Sequence, residues 1–126
     1  TKEEMKMENE GRKILGSNDF RASVTCVRVP VYRSHSIAVT AQFRQKPDVA
    51  QARKLITAAA GVGVVDDPGE MQFPTPLDTT EQDDCLVGRI REDIVLDDAL
   101  SFWVVGDQVR KGAALNAVQI AELLVD

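Results

Sequence analysis

Between Thr25 and Ser36 the chain reads TCVRVPVYRSHS, two apolar runs hinged on a proline, and no other stretch limits the fold as strongly. Val24, Cys26 and Arg28 alternate with Thr25, Val27 and Val29, the period of a strand. Pro30 has no backbone N–H, so a ladder must stop there or lie at a sheet edge. His35, the only histidine, opens a second run to Phe43, with Ile37, Val39, Ala41 and Phe43 on one face. An arginine leaving one strand and a histidine entering the next, seven residues on, can converge near a small anion. The guanidinium of Arg28 suits a carboxylate because its planar fork donates two parallel hydrogen bonds. His35 suits proton transfer because imidazole ordinarily titrates near pH 6.5. A histidine at a strand start is also a common structural residue, and the residues alone leave both roles open.

The rest of the chain builds on these runs. Residues 2–15 read as a helix, with Met5, Ile14 and Leu15 among charges and Gly16 as its stop. Glu3 and Lys6 are three apart and share a helical face, which by itself describes an ordinary surface pair. SNDFRAS is a turn-rich approach to the first strand. KPDVAQARKLITAAAG reads as a second helix, charged or capped at Asp48, striped by Val49, Ala52, Leu55, Ile56 and Ala59, and ended by Gly61. GVGVVDD offers a short strand, and the proline- and acid-rich segment after it reads as a long loop of functional or intersubunit use. Cys85–Ile90 and Leu100–Val105 form a hairpin around Asp93–Asp98. A last helix runs from about Gln108 to Val125, with Ala114, Val118, Ala121 and Val125 on one face. The fold class is therefore α+β, a mainly antiparallel sheet covered by helices on one face.

Composition excludes several functions. A net charge of −5 argues against a general nucleic-acid binder. No apolar run approaches the roughly 20 residues of a membrane span. Cys26 and Cys85 are far apart in apolar runs and have neither zinc-ligand spacing nor a disulfide framework, so no metal is expected and a reduced, cytoplasmic protein is. GVGVVDDPG is too poor a match to a dinucleotide-binding glycine motif and has no helix after it. The start, TKEEMKMENEGRK, is charged and lacks an initiating Met, so a processed or truncated piece is expected.

Three blocks in order, EEMKM at the start, TCVRVPVYRSHS, and GDQVRKGAALNAVQIAELL near the end, resemble the aspartate-semialdehyde dehydrogenase family. The resemblance implies the C-terminal domain of a glyceraldehyde-3-phosphate dehydrogenase-like fold. Residues 1–105 would be part of a catalytic and dimerisation domain, and 106–126 a helix that returns to pack on an NADP-binding domain. It implies NADP- and phosphate-dependent interconversion of L-aspartate 4-semialdehyde and 4-phospho-L-aspartate through a cysteine thioester. That step belongs to lysine, methionine, threonine and diaminopimelate biosynthesis. By the same resemblance His35 is the acid/base, Arg28 binds the substrate carboxylate and Glu3 meets its amino group. Lys6 helps hold phosphate, Gln108 contacts the cofactor, and the protein is a homodimer or higher homo-oligomer. Neither cysteine lies in a context matching the nucleophile, and Cys26 reads as core filling, so this stretch alone is expected to be inactive. Ser34 stands where the family often has glycine before the histidine, a residue that reaches positive φ cheaply.

Two other readings remain. One is a non-catalytic oligomerisation or interaction module of the same fold. The other is a related acyl-phosphate reductase using thioester chemistry on a different substrate.

Overall fold

The protein, as a computed structural model, is described over residues 1–125. It packs as two units, Thr1–Pro30 and the residues from Val31 onward. The first is built on α1 (Lys2–Leu15), whose Thr1 hydroxyl accepts the Glu4 N–H and whose end, Gly16, takes the left-handed conformation that carries the chain out of the helix. Arg12 donates to the Phe20 carbonyl (3.0 Å), folding the turn after Gly16 back on α1.

Val24–Val29, expected as a strand, has no regular secondary structure. Its backbone is bound by a side chain instead of a ladder: the Cys26 N–H donates to the Glu4 carboxylate at 2.9 Å. Alternation describes side chains, whereas a strand also needs a neighbouring backbone, and Pro30 withholds a donor at the point where pairing would continue.

The second unit holds a four-stranded sheet: β1 (His35–Gln42), β2 (Val62–Val64), β3 (Cys85–Glu92) and β4 (Ala99–Gly106), in the order β1-β4-β3-β2. β4 pairs antiparallel with β1 and β3, and β2 pairs parallel with β3. The central pair carries the core: Val87, Ile90, Ala99, Leu100 and Val105 are buried. The face read from β1 is only partly covered, with Val39 and Ala41 half-buried and Ile37 and Phe43 about half exposed, as befits an edge strand.

Of the helices, α2 (Val49–Thr57) starts at Asp48, whose carboxylate accepts the Gln51 N–H at 2.7 Å, and it packs on β2 and β3 through a stripe that includes Val49, Ala52 and Ile56. The long segment after β2 is more ordered than a loop. Asp67 pairs with Gln72, and Pro76–Thr79 form a single helical turn, α3, started by Thr75, whose N–H and hydroxyl both donate to Asp78. The last helix is shorter and kinked: a widened turn, Arg110–Ala114, with non-helical angles at Ala113, leads into α4 (Leu115–Glu122). Among the described residues no helix is long and apolar enough to cross a membrane.

Gly88 is the tightest point of the sheet. A Cβ there would lie 2.2 Å from the Val65 carbonyl oxygen and 2.5 Å from the Pro74 ring. The ladder between β3 and β4 shifts register just after it, with Arg89 at φ 56°, and the freed Arg89 and Ile90 N–H groups donate to the buried Asp66 carboxylate. Gly88→Ala should cost about 3 kcal/mol or more, because the clash is with backbone that cannot turn away. The denaturant midpoint measures it, and a wild-type midpoint would refute the packing argument.

Candidate active site

In the first unit, α1 presents Glu3 and Lys6 on one face, 3.8 Å apart and both well exposed. An exposed pair at that distance stabilises little, which leaves both charges available to ligands. Glu4, which sequence reasoning passed over, is engaged differently: through Cys26 it ties the extended arm that carries Arg28 to the first turn of α1. Arg28 is exposed on that arm.

In the second unit, His35 is the first residue of β1, exposed, and opposite Gly106 in the ladder with β4. Its predecessor, Ser34, is 3% exposed and has φ 74°. A non-glycine residue in this region costs about 1–2 kcal/mol, so the surroundings must enforce it. They do so on two sides. The Ser34 N–H donates to the Gln108 side-chain carbonyl at 2.7 Å, and the Ser34 hydroxyl accepts from the buried Thr79 hydroxyl at 2.9 Å. Serine thus holds by hydrogen bonds the conformation glycine would hold by lack of a Cβ.

Asp107, between Gly106 and Gln108, is fully buried. Its carboxylate accepts the N–H groups of Glu81 (2.8 Å), Val109 (2.8 Å) and Arg110 (3.3 Å), and its Oδ2 lies 2.8 Å from Arg33 Nε. Burial alone would raise its pKa; the Glu81 and Val109 amides and the Arg33 guanidinium outweigh that and hold the carboxyl below its ordinary range. The run Arg33-Ser34-His35 is therefore held, residue by residue, against Gly106-Asp107-Gln108. The segment from Pro74 to Glu81 supplies the third wall: it contributes Thr79, the Glu81 amide and the Pro74 carbonyl that accepts from Trp103.

The site residues expected from sequence fall in both units, Glu3, Lys6 and Arg28 in the first and His35 and Gln108 in the second. Of these, the structure links Gln108 to the histidine segment. Asn116 lies half-buried on α4. Both cysteines are free thiols; Cys26 is exposed rather than core filling, and Cys85 packs against Gly106, where a Cβ would meet its sulfur at 2.7 Å. Among the described residues no group of three or more His, Cys, Asp or Glu could hold a metal ion. Sequence reasoning missed Arg33, Thr79 and Asp107. The signal for Asp107 was an Asp between a strand and a helix, the place of a cap.

The family model described as semialdehyde dehydrogenase, dimerisation domain, matches residues 1–111. Aspartate-semialdehyde dehydrogenase of Synechocystis sp. is 56% identical over 124 residues, covering 98% of this chain and 37% of that protein. The enzyme of the same name from Aquifex aeolicus is 46% identical over 125 residues, covering 99% of this chain and 37% of its own length. Among solved structures, aspartate semialdehyde dehydrogenase II of Vibrio cholerae complexed with ASA superposes with a TM-score of 0.93 at 44% identity, covering 99% of this chain and 37% of that one. The Candida albicans enzyme with NADP gives a TM-score of 0.72 at 26% identity, over 86% of this chain and 38% of that one. The chain thus spans a little over a third of the length of the curated relatives it matches. With residues 1–111 matched by the model and the fold shared with solved members, the chain belongs to the semialdehyde dehydrogenase dimerisation-domain family.

Proposed function

We propose that the chain is the C-terminal part of an aspartate-semialdehyde dehydrogenase that converts L-aspartate 4-semialdehyde and phosphate to 4-phospho-L-aspartate with NADP. The observation that carries this reading is 56% identity, over 98% of the chain, to a protein of that name. The exposed His35 at the head of β1 supports it chemically.

In this reading a cysteine thiolate from outside residues 1–126 adds to the aldehyde carbon. Arg28 pairs with the substrate carboxylate and Glu3 with its ammonium, so the amino acid is gripped at two charges. His35 takes the hydroxyl proton of the thiohemiacetal as the carbonyl of the thioester forms. NADP, when bound, supplies the acceptor for the hydride. Gln108 fits the nicotinamide carboxamide: its carbonyl is engaged by Ser34, while its amide nitrogen donates to none of the described residues. Phosphate, drawn to Lys6, attacks the thioester and releases the thiolate with the acyl phosphate as product. The pathway roles in lysine, methionine, threonine and diaminopimelate synthesis, and a cytoplasmic setting for two free thiols, follow from the same reading.

We further propose a homodimer or higher homo-oligomer, with 106–126 packing on the NADP-binding domain. The exposed apolar tip of the β3–β4 hairpin, Ile94 and Val95, supports self-association.

The test is NADP reduction by the complete gene product with aspartate semialdehyde, with and without phosphate. Phosphate-dependent reduction is expected. Its absence in a folded protein that carries the upstream cysteine would return the chain to a non-catalytic module or to another substrate. In the active protein, Arg28→Lys should lower kcat/KM for the semialdehyde about 10- to 100-fold, mostly through KM, because a bidentate fork becomes a point charge. Unchanged KM would remove Arg28 from the site.

A further inference from the structure

We infer that Gln108 is a positioning residue for His35, holding Ser34 in the left-handed turn that aims the imidazole. This rests on the reading of His35 as the proton acceptor and goes beyond a cofactor contact for Gln108. The geometry is specific. Ser34 is buried at φ 74°, a conformation a serine does not keep unaided. Its N–H donates to Gln108 Oε1 at 2.7 Å, and the next residue along is His35, where the ladder with Gly106 begins.

Without that acceptor, the N–H of the buried Ser34 is left unpaired and the turn relaxes toward negative φ. The start of β1 then rotates, and the imidazole leaves the line to the reacting hydroxyl. The opposite end of the Gln108 amide stays free for the cofactor, so the one side chain serves two contacts with two different atoms. Asp107 fixes Gln108 in turn, because its carboxylate caps the Val109 and Arg110 amides that follow.

Glycine provides the discriminating experiment, since it adopts φ near 74° with no acceptor to hold it. In the complete protein, Gln108→Leu should lower kcat roughly 10- to 100-fold. Adding Ser34→Gly to that variant should recover most of the lost kcat. Any rise in KM for NADP, which reports the other end of the amide, should stay unrepaired. Gln108→Met, which keeps the side chain's length and lacks the acceptor, is the parallel variant should leucine disturb folding. A second readout needs no turnover: the His35 imidazole C–H resonance, assigned by its loss in His35→Ala, should move in Gln108→Leu and return in the double variant. A wild-type kcat in Gln108→Leu, a loss that Ser34→Gly leaves untouched, or an unmoved resonance would overturn the inference. If the wild-type protein shows no phosphate-dependent reduction, the proposed reaction fails, while the resonance comparison still decides the positioning.

Discussion

His35→Ala in the complete protein should lower kcat about 10²- to 10⁴-fold, the usual share of a positioned acid/base, with KM for the semialdehyde changed little. That range corresponds to about 3–5 kcal/mol of transition-state stabilisation. The fold should survive, since the imidazole is exposed at an edge strand and its backbone pairing with Gly106 does not depend on the side chain. The loss should therefore appear in kcat with an unchanged unfolding transition. His35→Gln, which keeps polarity but cannot take up a proton, should be as impaired as alanine. Single-turnover measurements would place the defect at hydride release from the thiohemiacetal. A kcat within threefold of wild type would mean that another base serves the site.

How far the sequence could be read depended on whether each signal was local. The helix from Lys2 to Leu15 was legible because its stop, Gly16, is its neighbour, and β1 was legible from alternation beginning at His35. The hairpin of β3 and β4 was legible for the same reason, and its turn is held by Asp93, which accepts from Ser101, Leu96 and Val95 and so has its pKa lowered to about 2. Val24–Val29 misled because its alternation is real while its backbone has another partner, Glu4. The turn at Thr75–Asp78 could have been found, since T-x-x-D with proline in the first turn is a helix-start signature. The link from Gln108 to Ser34 could not, being 74 residues apart in the chain. What the sequence offered was half of it, a serine at the position where the family often has glycine; the positive φ and the distant group that holds it are seen only in the fold.

Asp107→Ala should be the most damaging substitution to the fold around the site. Its carboxylate takes three backbone amides and sits against Arg33, and Asp107 itself is fully buried, out of reach of water that could replace it. Removal leaves the Glu81 and Val109 amides unpaired and Arg33 to the more distant Glu81 carboxylate (3.4 Å), while Arg110 keeps its bond to the Asp107 backbone carbonyl. Deletion of one partner in this way is far costlier than replacement of both. The apparent Tm should fall by about 5 °C or more. Asp107→Asn should fare little better, because an amide N–H2 must then face either the Arg33 guanidinium or a backbone donor. The pH dependence has a definite sign. The folded pKa lies below the unfolded value, so the folded state binds fewer protons on the acid side. Asp107's contribution is complete above about pH 4, near the unfolded carboxyl pKa, and is lost as the pH falls through the folded value. In Asp107→Asn the decline in Tm below about pH 4 should consequently be shallower than in wild type, Asp93 and the other carboxylates keeping the remainder. Equal slopes, or a wild-type Tm in the alanine variant, would show that the carboxylate does not hold the histidine segment in place. Its loss should also lower kcat beyond what the drop in stability explains, because Gln108 is anchored next to it.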